Sequence, residues 1–224
     1  RSAICRIDNG VARRMSNDDR TRAAARRDLT DASPQFAIPD HGRLAVYTGR
    51  LHEAKGIETL VTAWIQVSQR WPEARLWLVG DGPHAAALRQ RVESLGMKHQ
   101  IVFPGVIDST ADVLHVADLF VLPSLSEGLS ISLLEAMASF LPIVATDIPA
   151  NRAVITHQTS GILFPPGDTQ ALAAAIIRLW DNPNLARRFA EAAQIRVRSH
   201  FSLDSNASQH LELFHGLIEN RGQR

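Results

Sequence analysis

The chain has 224 residues, 45 % of them hydrophobic and 21 % charged, with a formal net charge of +1. That balance suits one globular α/β domain with a full core; it excludes a disordered chain and gives no reason to expect nucleic acid as a partner. Cys5 is the only cysteine, so no intrachain disulfide forms and a reducing compartment fits; the nine scattered histidines add no metal-ligand cluster, and His210 and His215, five apart, do not share a helix face.

Residues 1–27 hold eight arginines against three aspartates, a local net of +5. A solvated helix face explains such a run, and so does a patch that leans on anionic lipid headgroups. The Asp8-Asn9-Gly10 turn precedes a helix expected from Asn17 to Asp28, and a Pro-containing stretch from Ser33 to Gly42 separates this leader from the first strand. No apolar run approaches the roughly 18 residues of a membrane span, and the opening residues are too polar for a signal peptide. The expectation is a cytoplasmic protein, peripheral at the inner membrane surface if the basic leader has that role.

The chain then alternates. Leu44 to Thr48 is a short apolar, β-prone run, and Gly56 to Trp71 follows with helical spacing at Ile57, Leu60, Val61, Trp64 and Val67. Arg75 to Val79 is the next strand, turned by Gly80-Asp81-Gly82-Pro83 into a helix with Pro at its first position and its end near Gly96. Strands at Gln100 to Phe103, Leu119 to Leu122, Ile143 to Thr146 and Gly161 to Phe164 follow, with helices from Ala111 to Ala117 and Ile131 to Ser139. Helices over roughly 168–181, 184–199 and 204–219 close the chain. Strands alternating with helices predict a Rossmann-like, doubly wound parallel sheet that binds ligands at the carboxyl ends of its strands.

Three stretches at those ends carry chemistry. Ser124-Leu-Ser-Glu127-Gly128-Leu129-Ser130-Ile131-Ser132-Leu-Leu-Glu135 places Glu127 on a loop leaving a strand and Glu135 in the next helix. The N–H groups from Gly128 to Ser132 between them form a helix-start anion site. A plainer reading stands beside this one: Ser132 and Glu135 fit a Ser-x-x-Glu capping box, and Glu127 fits a solvated loop. Gly49-Arg50-Leu51-His52-Glu53-Ala54-Lys55-Gly56 is a strand–loop–helix junction with two cations, which suits a diphosphate but equally a solvated loop. Gly80-Asp81-Gly82-Pro83-His84-Ala85 matches two glycines of a dinucleotide fingerprint, without the acidic residue that would hold a ribose.

Taken together, these stretches resemble the C-terminal domain of the large family 4 of retaining glycosyltransferases (glycosyl transferases group 1), which has the GT-B architecture. The Glu127-x7-Glu135 motif, the Arg50–Lys55 loop, the Gly80 turn, Val102-Phe103-Pro104-Gly105 and Ala117-Asp118-Leu119-Phe120-Val121-Leu122-Pro123-Ser124 occur in the family's order, from about residue 44 to about 182. Ile7-Asp8-Asn9-Gly10-Val11 resembles the family's link between two Rossmann-like domains. The resemblance implies that residues 1–42 are linker and leader helix, that 43–224 are the donor-binding half of a GT-B fold with extra C-terminal helices, and that an N-terminal acceptor domain is absent. Two departures stand out: Phe140 where the family usually has Gly, and Ala153 in place of a common Glu.

The activity implied is transfer of a sugar from a nucleoside diphosphate, a UDP- or GDP-sugar, with retained anomeric configuration, no metal and no cofactor. Arg50 and Lys55 would neutralise the diphosphate together with the N–H groups near Gly128, Leu129, Ser130 and Ile131. Glu127 would orient the donor sugar and Glu135 would hold the ribose. Gly49, Gly80 and Gly82 would line the nucleotide, and the loop at Val106 and Ile107 would meet the base. The acceptor would be lipid-linked or a saccharide. Two rival classes, an NAD(P)-binding domain and a glycosidase with a Glu pair, leave the Arg50–Lys55 loop without a role. A third, a donor-binding module with no turnover of its own, differs only in whether the other domain is present.

Overall fold

The expected strand runs form one six-stranded parallel sheet in the computed structural model, which describes residues 10–11, 19–32, 34–39 and 41–221. The strands are β1 (Leu44–Thr48), β2 (Arg75–Val79), β3 (Ile101–Gly105), β4 (Leu119–Leu122), β5 (Ile143–Thr146) and β6 (Ile162–Phe164). Every residue of β1, β4 and β5 is buried, as parallel strands covered on both faces must be. Their order across the sheet is β3-β2-β1-β4-β5-β6. The chain therefore steps outward from β1 to β3 and returns to the other side of β1 as β4. Right-handed crossovers then send the helices after β1 and β4 to opposite faces, which opens a crevice at their carboxyl ends.

The helices are α1 (Asp19–Ala32), α2 (Ile57–Arg70), α3 (Ala85–Ser94), α4 (Thr110–Val116), α5 (Ile131–Ala138), α6 (Pro149–Val154), α7 (Thr169–Asp181), α8 (Pro183–His200) and α9 (Leu203–Arg221). The apolar stripe of α2 (Ile57, Leu60, Val61, Trp64, Val67) packs against α7, with Trp180 edge-on to Trp64 at 5.9 Å and to Trp71 at 6.1 Å. Helix α5 packs against α8. Among the described residues, no helix is long and apolar enough to cross a membrane.

Several boundaries differ from the sequence reading. Helix α3 begins at Ala85 with His84 as its N-cap, so Pro83 belongs to the turn. Strand β3 runs on to Gly105, because Gly80 N–H pairs with the Gly105 carbonyl (2.8 Å). Helix α6 was not expected; Pro149 at its first turn starts it, and the buried Asn151 carboxamide returns to the Thr146 carbonyl at 3.0 Å.

Two arginines of the basic leader, Arg22 and Arg26, are engaged by the domain itself. Helix α1 lies against α4, and Arg22 and Arg26 reach Asp118 at 3.2 and 2.8 Å. Arg26 also donates to the Val116 carbonyl at 2.6 and 2.9 Å. The Asp118 carboxylate accepts from Leu44 N–H at 2.7 Å, so it sits at the amino ends of β1 and β4. A carboxylate only 7 % exposed requires such partners, and α1 supplies them. Arg27 is exposed, while Arg1, Cys5, Arg6, Arg13 and Arg14 lie outside the described residues, as does the turn at Asp8 and Asn9. Val11 is described: its N–H donates to the Phe201 carbonyl (2.9 Å), and its carbonyl accepts from Leu203 N–H (3.3 Å).

Phe140 explains itself in three dimensions. Its N–H donates to the Met137 carbonyl, Leu141 N–H donates to Ala136, and its φ is 61°. That is a Schellman termination of α5 with phenylalanine at the left-handed position where glycine is favoured. Replacing Phe140 by Gly should relieve about 1 kcal/mol of backbone strain and raise the thermal midpoint by about 2–4 °C in a calorimetric scan. A lowered midpoint would show that the half-buried ring contributes more than the strain costs.

Candidate functional site

The loops leaving β1, β2, β3 and β4 are joined at the carboxyl edge of the sheet by backbone hydrogen bonds. Gly49 N–H donates to Val79, Leu51 N–H to Asp81, His84 N–H to Leu51, Gly80 N–H to Gly105 and Leu125 N–H to Ala54, all within 3.0 Å. Side chains are excluded where these loops touch. A Cβ on Gly80 would lie 2.0 Å from the Gly49 carbonyl oxygen, at a φ of 130°. One on Gly56, φ 59°, would lie 2.2 Å from the Pro123 oxygen. The glycines are a condition of the platform, and a flexible phosphate-wrapping loop is not what they build.

Two cavities open on this platform. The first, about 290 Å³, is lined by Thr48, Gly49, Arg50, Gly80, Val106 and Ile107, among others. The second, about 220 Å³, holds Glu135, Ile131 and Leu114. Thr110, the first residue of α4, lines both, and its hydroxyl donates to Glu135 Oε2 at 3.2 Å. Glu135 therefore has a side-chain partner of its own. The capping-box reading fails: the N-cap of α5 is Ser130, whose hydroxyl accepts from Leu133 N–H at 3.3 Å, and Glu135 lies one turn beyond.

Lys55 ends a 3₁₀ turn, Glu53–Lys55, that is capped by the His52 ring accepting from Ala54 N–H at 3.2 Å. Its Nζ reaches Glu127 Oε1 at 2.8 Å, and Ser124 Oγ donates to the same oxygen at 2.7 Å. Glu127 is thus no solvated loop residue; its side chain is 9 % exposed. Beneath it, Tyr47 is buried and donates its phenol to the Arg50 carbonyl at 3.0 Å. Burial first, and the Glu127 charge second, push that phenol well above the ordinary tyrosine range, so it stays a donor.

The structure thus gathers Gly49, Arg50, Gly80, Val106 and Ile107 round one cavity, pairs Lys55 with Glu127, and sets Glu135 and Ile131 in the adjoining hollow. Gly128 and Leu129 span the short link from Glu127 to α5. Gly82 and Ser130 have structural duties, Gly82 against the Leu51 carbonyl and Ser130 as a cap. The N–H groups of Ile131 and Ser132 open α5 and have no carbonyl within it to bond. Tyr47, Thr110 and Ser124 were not singled out from the sequence. Ser124 stood inside the motif but has no spacing signal, and the partners of Tyr47 and Thr110 come from other loops. Among the described residues, no group of three or more His, Cys, Asp and Glu side chains gathers as a metal site.

Residues 42–182 match the model of a family described as Glycosyl transferases group 1. The chain is 28 % identical over 193 residues to N-acetyl-alpha-D-glucosaminyl L-malate synthase of Bacillus anthracis, covering 86 % of this chain and 50 % of that protein. Sucrose-phosphate synthase from Thermosynechococcus elongatus superposes with a TM-score of 0.82 at 28 % identity, over 96 % of this chain and 52 % of the other. HepE of Anabaena, solved with UDP and glucose, shares the fold at a TM-score of 0.79 and 22 % identity, over 89 % and 53 % of the two chains. The chain spans about half the length of the curated relatives it matches.

The glycine contacts make a direct test. Gly80→Ala should cost about 3 kcal/mol or more, through a backbone clash added to a strained φ. Gly96→Ala, at a φ of 69° with open space around it, should cost only about 1 kcal/mol. Urea unfolding of both variants measures the difference, and equal losses would remove the close-approach argument.

Proposed function

This chain belongs to the Glycosyl transferases group 1 family, and we propose that it forms the nucleotide-sugar-binding half of a retaining, metal-independent glycosyltransferase of the hexosyl-transferring kind. The observation that carries the reading is the 2.8 Å contact between Lys55 Nζ and Glu127 Oε1 at the strand-order reversal. A sugar nucleotide presents a phosphate and a sugar ring joined at the bond to be broken. A cation and a carboxylate fixed side by side are what that junction needs.

In this reading, Arg50, Lys55 and the helix-start N–H groups of α5 stabilise the charge that grows on the departing diphosphate, the work a metal does elsewhere. Glu127 accepts from the donor-sugar hydroxyls and orients the ring. Glu135, steadied by Thr110, accepts from the ribose, and the Val106–Ile107 loop meets the base. The bond from the anomeric carbon to the β-phosphate oxygen breaks with its electrons going to that oxygen. The acceptor oxygen bonds the same face of the carbon and passes its proton to the leaving phosphate.

The donor class is supported by the family and by HepE, solved with UDP and glucose; UDP- and GDP-sugars are the first candidates. Residues 1–42 are read as linker and leader, and 43–224 as the donor domain. The partner is an N-terminal acceptor domain that supplies the lipid-linked or saccharide acceptor. In this reading the protein works in the cytoplasm, where its single cysteine fits, and at the inner membrane surface when the acceptor is a lipid. The chain by itself is expected to bind donor without turning it over, because closure over a reacting donor takes two domains.

Calorimetric titration with UDP, GDP, ADP and NAD, with and without EDTA, tests the site. One nucleoside diphosphate should bind and survive EDTA. Arg50→Ala and Glu135→Ala should each weaken it about 10- to 100-fold, the loss of one charge-assisted hydrogen bond. A folded chain that binds none of the four overturns the reading.

A further inference from the structure

Glu127 is held more firmly than a sugar ligand requires. Two donors, Lys55 Nζ and Ser124 Oγ, converge on one of its oxygens at 2.8 and 2.7 Å. Ser124 is fully buried, and its carbonyl accepts the Thr146 hydroxyl. Thr146 is in turn held by Asn151, whose carboxamide donates to its carbonyl at 3.0 Å and to its hydroxyl at 3.1 Å. Thr146 and Asn151 are themselves buried, so a polar chain runs from α6 through the end of β5 to the carboxylate. The negative charge is therefore held beside Lys55 from two sides.

The charges that line the site do not change between its two ligands: Arg50 and Lys55 stand against Glu127, Glu135 and Asp81. The charge of the ligand does change. In a sugar nucleotide the β-phosphate is bonded to both the α-phosphate and the sugar and carries one negative charge. Once the sugar has left, it is a terminal phosphate carrying about 1.5 to 2 negative charges near neutral pH. The added charge appears on the group next to Lys55, and hence next to Glu127.

Resting on the donor-site reading, we propose that Glu127 is a charge filter: its fixed carboxylate disfavours the nucleoside diphosphate product relative to the sugar-bearing donor, so that transfer of the sugar weakens the hold on what remains. Lys55 attracts both ligands, but its charge is already half-answered by Glu127. The carboxylate that orients the sugar while it is present repels the phosphate left when it is gone.

The test uses Glu127→Gln in this chain, which keeps the shape and removes the charge. Its calorimetric affinities are compared with wild type for UDP and GDP and for their β-methyl esters, whose β-phosphate keeps the single charge of the donor without a sugar. The variant should bind the free nucleoside diphosphate about tenfold more tightly, as expected for up to one charge a few ångström away at a partly solvated site. It should change the methyl ester less than threefold, and the difference should shrink in 1 M salt. Ser124→Ala retains the charge but frees it to move, and should give a smaller gain for the free diphosphate than Glu127→Gln, again with less than threefold change for the methyl ester. Binding of the free diphosphate that is unchanged or weaker in Glu127→Gln overturns the proposal while leaving the donor site intact. So does a gain shared by both ligands, or an equal gain in Ser124→Ala. Failure of wild type to bind any of the four overturns the donor site itself, and the filter with it.

Discussion

The reversal of strand order at β1 and β4 is the constraint on which the rest of the molecule depends. Parallel strands bring four loops out on one edge, the reversal opens a crevice between those of β1 and β4, and the loops round it are bonded backbone to backbone from Gly49 to Leu125. Contact at that distance leaves no room for a Cβ at Gly80 or Gly56. With the loops fused, Arg50, Lys55, Glu127 and the rim of α5 become parts of one surface, although they are far apart in sequence. Preorganisation here is a property of the backbone first, and the charged side chains inherit it.

The sheet also carries a largely covered carboxylate at each end, and the two are handled alike. At the amino edge Asp118 is answered by Arg22, Arg26 and the Leu44 N–H. At the carboxyl edge Glu127 is answered by Lys55, with Ser124 closing the remaining valence of the same oxygen. The difference is in what the partners leave over. Asp118 is surrounded by two cations and a backbone donor, which is a structural clamp for α1. Glu127 has one cation, on a loop that faces the crevice, and that cation is what an arriving phosphate would share.

The strands were legible because they are short apolar runs punctuated by Gly, Pro and charged residues, and the helices because Ile57, Leu60, Val61 and Trp64 repeat at helical spacing. The motif residues were legible as a set of loops at one edge, since alternating strands and helices allow no other place for them. What could not be read is what depends on partners remote in sequence. Arg22 and Arg26 read as a basic run until Asp118, over ninety residues away, is brought beneath them. Ser132 reads as a cap from its spacing to Glu135, whereas the residue that keeps an extended backbone and takes the Leu133 N–H is Ser130. Helix α6 is too short to show a period, and Thr110 has no pattern at all. Phe140 was visible as an oddity, and its φ gives the oddity a physical meaning.

The aromatic packing between α2 and α7 has a consequence for how the molecule reports on itself. Trp64, Trp71 and Trp180 form one edge-on group, and Trp77 lies on β2 against Phe36, so the indole chromophores all belong to the scaffold. The single tyrosine, Tyr47, lies under Glu127 with its phenol on the Arg50 loop. With the one phenol held protonated and masked by four indoles, the intrinsic emission of the chain follows the sheet and its helical cover, and a ligand arriving at the crevice should leave it largely unchanged.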